Sequence, residues 1–171
     1  MPLIEAASLW LMPAGETGER LTAWIDRLAR RFGTERFAPH VTLLSGLSGE
    51  AAELEEATRR VAATLARLPV HLLGVEGSEE HFRCLYLRAV EAASLTAAHA
   101  RAATVLGHPA DPAFLPHLSL VYGRLPLDVK HDLAAEAGAD PHVRFEACSL
   151  YLWSTAGSVS TWREVAAVAL R

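Results

Sequence analysis

Cysteine is scarce in this sequence: two among 171 residues, Cys84 and Cys148. Each sits in an apolar stretch, where a buried free thiol in a reducing compartment is the ordinary state. A disulfide between them stays open from sequence, but two cysteines with no paired histidine spacing do not make a zinc site. Long hydrophobic runs are missing too. No apolar stretch approaches the roughly 18 residues that suggest a membrane span, and the first residues lack the basic-then-apolar pattern of a secretory leader. A cytoplasmic protein is therefore expected. An excess of positive charge is also absent. The 16 Lys and Arg against 20 Asp and Glu leave a formal charge of −4, which argues against gripping long nucleic acid through its phosphates. A small nucleotide or a single RNA terminus stays compatible with that balance.

What is present is enough apolar material for a core. Hydrophobic residues make up 51% of the chain and charged ones 21%, the composition of a globular protein and not of a disordered or fibrous one. Its length fits a single domain over residues 1–171, built as two lobes. Along the chain, residues 4–12 read as a buried strand ending at Pro13. From Glu16 to Phe32, Leu21, Trp24, Ile25, Leu28 and Phe32 recur at helical spacing, with Gly33 as the stop. His40 to Leu44 reads as a strand, 50–68 as a helix, and 70–75 with 82–90 as a hairpin around Gly77-Ser78-Glu79-Glu80. A helix follows over 91–106 before Gly107, then a strand over 117–122, a short helix over 128–137 before Gly138, and strands over 143–154 and 161–170. This β-α-β-α-β-β-α-β-α-β-β order, rich in hairpins, predicts an α+β protein with mostly antiparallel sheets.

The most informative feature is an internal echo. Pro39-His40-Val41-Thr42-Leu43-Leu44-Ser45-Gly46 is answered by Pro116-His117-Leu118-Ser119-Leu120-Val121-Tyr122-Gly123, with the histidines 77 positions apart, close to half the chain. A strand places residues i and i+2 on one face. His40 projects with Thr42 and His117 with Ser119, while Val41, Leu43, Leu118 and Leu120 point into the layer behind. Facing lobes bring two imidazoles and two hydroxyls to one cleft. That set suits phosphoryl chemistry: one neutral imidazole takes a proton from water, the other gives one to the leaving oxygen, and hydroxyls donate to non-bridging phosphate oxygens. Histidine titrates in the right range for both roles, and neither role calls for a metal or cofactor. A lone His-x-Thr on a strand is usually incidental, whereas two copies in matched context are not.

The other histidines, His71, His81, His99, His108, His131 and His142, share no repeated context and read as surface or structural. Asp26, Glu53, Glu55 and Glu56, like Arg30, Arg31, Arg59 and Arg60, read as solvated helix faces. Trp10, Phe82, Tyr86 and Trp153 alternate with core positions on strands, so burial is expected, with Trp10 the best candidate to stack on a base. Tyr122 falls on the opposite face from Ser119 in a regular strand. A bulge or a strand end is needed to turn its hydroxyl to the cleft.

The paired motifs resemble those of the two-histidine (2H) phosphoesterase superfamily, and the wider sequence is similar to its cyclic phosphodiesterase branch. Ser8-Leu9-Trp10-Leu11-Met12-Pro13, Phe37-Ala38-Pro39-His40 and Cys84-Leu85-Tyr86-Leu87 add to the likeness, which spans nearly the whole chain. The resemblance implies a bilobal α+β fold with two pseudo-symmetric lobes and the active site in the groove between them. It also implies metal-independent hydrolysis of a 2′,3′-cyclic nucleotide or of ADP-ribose 1″,2″-cyclic phosphate to a phosphomonoester. On that reading His40 and His117 are catalytic, Thr42, Ser119 and Tyr122 bind phosphate, Trp10 walls the base, and the protein works as a monomer. The second motif has serine where many members have threonine, and both supply a hydroxyl. RNA 2′,5′-ligase-like relatives usually carry a basic residue after the second motif, where this chain has Val121-Tyr122-Gly123. An enzyme acting on RNA 3′ ends is the alternative, and a non-catalytic nucleotide-binding module is the alternative of another class.

Overall fold

The alternation at the start of the chain forms strand β1 (Leu3–Leu11), with Leu9 and Leu11 wholly buried on one face and Ser8 and Trp10 on the other. A computed structural model describes residues 2–137 and 142–171. Helix α1 (Gly15–Phe32) follows and buries Leu21, Ile25 and Leu28. It ends where Gly33 turns left-handed at φ 65°, a conformation that costs a residue with a Cβ about 1–2 kcal/mol. Arg30 and Arg31 in its last turn complement the negative end of the helix. Next come β2 (Val41–Glu50), α2 (Ala51–Ala62), β3 (Leu68–Gly77) and a 3-10 turn at His81–Arg83. The second part of the chain contributes β4 (Leu85–Val90), α3 (Ala93–Leu106), β5 (His117–Val121) and α4 (Leu127–Glu136), then β6 (Val143–Ala147), β7 (Ser149–Ser154) and β8 (Arg163–Ala169).

The eight strands form one sheet in the order β6-β3-β4-β5-β2-β1-β7-β8, and every neighbouring pair is antiparallel. The α+β class with antiparallel pairing is therefore the architecture. The strand order is a palindrome of roles about its centre. The motif strands β2 and β5 lie side by side in the middle, joined by the single pair Val41↔Leu118, and these are the residues that directly follow His40 and His117. Val41, Leu43, Leu118 and Leu120 are buried in the apolar layer behind the sheet, packed in one cluster with Leu21, Ile25 and Leu28 of α1 and Leu95, Ala98 and Ala102 of α3.

Several elements differ from the sequence expectation. The stretch 143–154 is two strands, divided at Cys148, and the two go to opposite halves of the sheet: β6 pairs with β3, and β7 lies between β1 and β8. Hydrophobic alternation alone does not register a change of partner. Helix α2 stops at Ala62, six residues short of the expected end at Leu68, because the chain must turn to enter β3. The motif strand β2 runs on to Glu50, and α3 begins at Ala93. Phe82, expected on a strand and buried, lies in the 3-10 turn and is 55% exposed. Both cysteines are free thiols, Cys84 buried and Cys148 exposed. The expected stop at Gly138 lies outside the described residues. Among the described residues no helix is long and apolar enough to cross a membrane.

Candidate active site

The central strands carry the two motifs into one cleft of about 400 Å³, lined by His40, Thr42, His117, Ser119, Tyr122 and Trp10 among others. The two histidines are held in the same way. His40 Nδ1 lies 2.7 Å from the carbonyl oxygen of Ala38, and His117 Nδ1 lies 2.7 Å from that of Leu115. A carbonyl only accepts, so each Nδ1 carries the hydrogen and donates it. Each neutral ring therefore has its lone pair on Nε2, the atom left for proton transfer.

A second correspondence surrounds the first. Trp10 of β1 is in register with Thr42, and Tyr86 of β4 is in register with Ser119. Each aromatic supports the histidine of its own motif. Trp10 stacks flat on His40, with centroids 3.5 Å apart and planes 6° from parallel, and Tyr86 meets His117 edge-on at 5.4 Å. Tyr86 is held by its hydroxyl, which donates to Glu76 at 2.9 Å. The signal was in the sequence as Ser8-Leu9-Trp10-Leu11 and Cys84-Leu85-Tyr86-Leu87, whose aromatics stand 76 positions apart.

This packing corrects the expectation for Trp10. Its other face lies on Trp153 at 4.5 Å and it is only 2% exposed, so both faces are occupied and neither is open to a base. The accessible aromatic surface belongs to Phe82, beside Trp162 at 5.8 Å and edge-on to Tyr122 at 5.2 Å. Trp162 also lines the cleft.

The two histidines differ in electrostatics. Burial, opposed by the hydrogen bond to Ala38 and aided by the nearby His117, lowers the pKa of His40 to about 4. His117 is also lowered, first by burial, with the Leu115 carbonyl opposing and Arg83 assisting. The Tyr122 hydroxyl lies 3.4 Å from His40 Nε2, a long contact in which the phenol donates to a neutral ring. Burial raises the Tyr122 pKa well above its ordinary value, so it stays a donor. Tyr122 reaches the cleft because β5 ends at Val121, the strand end that its position required. Its ring is stacked on Phe37 at 3.7 Å.

The motif hydroxyls are not equivalent. Ser119 Oγ donates to the Phe82 carbonyl at 2.7 Å. Thr42 lines the cleft and is half-buried.

Trp162 and Arg83 are lining residues that the sequence does not single out. Arg83 projects from the 3-10 turn, pairs with Glu80 and lies 5.6 Å over the Tyr86 ring. Its Nε is buried without a partner. The arginines noted in the sequence sit elsewhere. Arg31 pairs with Glu136 and Arg59 with Glu55 and Glu56, all on the surface, and Arg30 and Arg60 are exposed. Nothing in local sequence marks Arg83, because its place depends on how the turn folds over the sheet.

That turn is well anchored. Ser78 Oγ donates to the Arg83 carbonyl at 2.6 Å, and the Gly123 amide donates to the His81 carbonyl at 2.8 Å. Lys130 of α4, only 3% exposed, donates to the Ser78 carbonyl at 2.8 Å and to Glu79 at 2.9 Å. Its stem passes so close to Gly77 that a Cβ there would lie 2.8 Å from it. His99 is structural: Nδ1 donates to the Leu43 carbonyl and Nε2 accepts from the Asp111 amide. Among the described residues no group of three or more His, Cys, Asp or Glu is placed to hold a metal ion.

A sheet whose two central strands each present a tethered histidine to one cleft defines the two-histidine phosphoesterase class. The chain belongs to the 2′-5′ RNA ligase superfamily, whose sequence model matches residues 14–158. No curated protein matches it by sequence alone. Among solved structures, it is similar to the protein TT0787 of Thermus thermophilus (TM-score 0.63, 17% identity, covering 97% of this chain and 98% of that one). It is also similar to Escherichia coli LigT in apo form (TM-score 0.63, 14% identity, 97% of each chain) and to LigT complexed with 3′-AMP (TM-score 0.59, 15% identity, 97% and 98%). At these identities the likeness is one of fold.

Proposed function

We propose that the protein hydrolyses a cyclic phosphodiester, a 2′,3′-cyclic nucleotide or a ribose cyclic phosphate of the ADP-ribose type, to a phosphomonoester without a metal. The observation that carries this reading is the pair of identical tethers, which leave His40 Nε2 and His117 Nε2 as the proton-transfer atoms of one cleft. His40, the more buried and held neutral down to about pH 4, takes the proton of the attacking water. The water oxygen bonds to phosphorus as the ring P–O bond breaks, and His117, protonated in the complex, gives its proton to the released ribose oxygen. The sum is one water added and one phosphomonoester formed. A bound phosphate anion favours the charged form of His117 and offsets the burial that lowers it. Thr42 and Tyr122 donate to the non-bridging oxygens. Ser119 joins them by rotating its hydroxyl away from the Phe82 carbonyl. LigT has been captured with 3′-AMP, a phosphomonoester of the kind expected here as product.

The test is turnover of a 2′,3′-cyclic mononucleotide in EDTA by the wild type and by His40→Ala and His117→Ala. Each substitution is expected to lower kcat by a factor of about 100 or more. Activity that persists in both variants, or that EDTA abolishes, rejects the reading.

A further inference from the structure

Helix α1 bears a trough on its solvent side. Two adjoining cavities of about 450 Å³ each run along the helix and share Arg20, Trp24 and Arg27. Among the described residues, neither has a lining residue in common with the catalytic cleft. Arg144, at the start of β6, flanks the first cavity, and Arg31 with Leu133 and Glu136 of α4 flanks the second. The shared residues fall at i, i+4 and i+7, which is one stripe of a helix. The two guanidiniums therefore rise from backbone positions about 10.5 Å apart along the axis, with the indole between them. Trp24 is half-buried against the core. Unlike Trp10, Trp153 and Trp162, it meets no other ring among the described residues. Arg20, Arg27 and Arg144 are exposed, and their guanidiniums make no ion pair or hydrogen bond among the described residues. In a chain of net charge −4, this is a local reversal of sign. The one carboxylate that lines either cavity among the described residues, Glu136, is already held by Arg31 through two bonds of 2.9 and 3.3 Å.

We infer that this trough docks an acidic helix of a partner protein. Tryptophan and arginine are the side chains that most often carry the binding energy of protein interfaces, and here they stand together without partners. Three uncompensated cations select a partner rich in carboxylates and steer its approach. The chain itself shows the mode of contact at one end of the trough. There α4 places Leu133 in the wall and, three residues on, the Glu136 carboxylate in the fork of Arg31. A partner helix that repeats this pattern seats an aliphatic side chain on Trp24 and sets carboxylates on Arg20 and Arg27, with Arg144 at the flank. Carboxylates at i and i+7 of such a helix recur at about the same 10.5 Å as the arginine positions. Nucleic acid fits less well, because its phosphates recur far more closely than these cations. The inference needs no assumption about the reaction in the cleft.

The probe is a fluorescein-labelled peptide helix of alanine and glutamine that carries two glutamates seven positions apart with a leucine between them. Its binding is followed by fluorescence anisotropy beside that of the same peptide with glutamine for glutamate. The acidic peptide is expected to bind about ten-fold more tightly or better than the neutral one. Arg20→Glu combined with Arg27→Glu, two exposed changes outside the cleft, is expected to weaken it by about ten-fold or more and to leave turnover and melting temperature as in wild type. A lysine-for-glutamate peptide is expected to bind that double variant better than it binds wild type. Trp24→Ala is expected to cost a further loss of about ten-fold, and the arginine pair decides the matter if that variant does not fold. Four results overturn the docking site: no binding of the acidic peptide, equal binding of the acidic and neutral peptides, no gain from the charge exchange, or an equal loss in Arg60→Glu combined with Arg101→Glu, which changes the charge of α2 and α3 instead. Tighter binding of a ten-residue oligothymidylate than of the acidic peptide also overturns it and gives the trough to nucleic acid.

Discussion

Trp10 lies flat against His40, ring on ring at 3.5 Å, and this contact does two jobs. It fixes the plane of the imidazole, and it keeps water from one whole face, which is how burial lowers the proton affinity of the ring. Trp10→Ala is expected to cost about 3–5 kcal/mol of stability, the usual range for a buried aromatic, read by urea unfolding. In the folded variant the acid limb of the pH–rate profile should move upward as water reaches His40. An unmoved acid limb would remove Trp10 from the account of that titration.

The same histidine makes folding pH-dependent. Its pKa is about 4 in the folded protein against about 6.5 in an unfolded chain, so between those values the unfolded state binds a proton that the folded state refuses. Stability is complete above pH 6.5 and is lost as pH falls through 4, by about 3 kcal/mol in all from this group. His40→Phe should flatten the slope of unfolding free energy over that window. Wild-type and variant curves that run parallel would contradict the assignment.

Tyr122→Phe removes only the hydroxyl beside His40 Nε2 and keeps the ring stacked on Phe37. A fall in kcat of about 10–100-fold is expected, in the range of one lost donor at a reacting centre, with a melting temperature within a few degrees of wild type. Unchanged kcat would make Tyr122 a core residue and nothing more.

Arg83 lowers the pKa of His117 by its charge. Arg83→Gln is therefore expected to raise the His117 titration midpoint, followed by NMR of the ring protons in the free protein, and to raise KM about ten-fold or more through the lost cation. A midpoint that stays in place, together with an unaltered KM, would sever Arg83 from the site.

Lys130→Met cuts the tether between α4 and the turn that carries Phe82 and Arg83. Losing hydrogen bonds from a buried ammonium costs about 1–3 kcal/mol. Amides of residues 78–84 should exchange faster, with kcat/KM reduced and the His40 titration unaltered. Exchange spread evenly over the chain would indicate a general destabilisation instead.

Much of this was legible in the sequence because the motif residues obey local rules. Period-two alternation around His40 and His117 states which side chains share a face, and repetition states that the strands are equivalent. Gly33 and Gly107 mark helix ends because both take the left-handed conformation. What was hidden depends on tertiary placement. The break at Cys148 sends two short strands to opposite halves of the sheet, and no local pattern encodes a partner. Phe82 and Arg83 look like part of a strand, yet their turn is folded over the cleft by Ser119, Gly123 and Lys130, which are far away in sequence. The sequence offers Trp10 as a wall for a base, but the rings that cover both its faces, His40 and Trp153, come from elsewhere in the chain.

Val41 and Leu118 are the single register pair through which the motif strands β2 and β5 meet at the centre of the sheet. A join one residue pair wide offers little resistance to splaying, so the gap between the imidazoles is governed from beneath, by how tightly the buried side chains under that join are packed. The width of the opening, and with it the size of molecule admitted, is adjustable by exchanging methyl and methylene groups that no substrate ever meets.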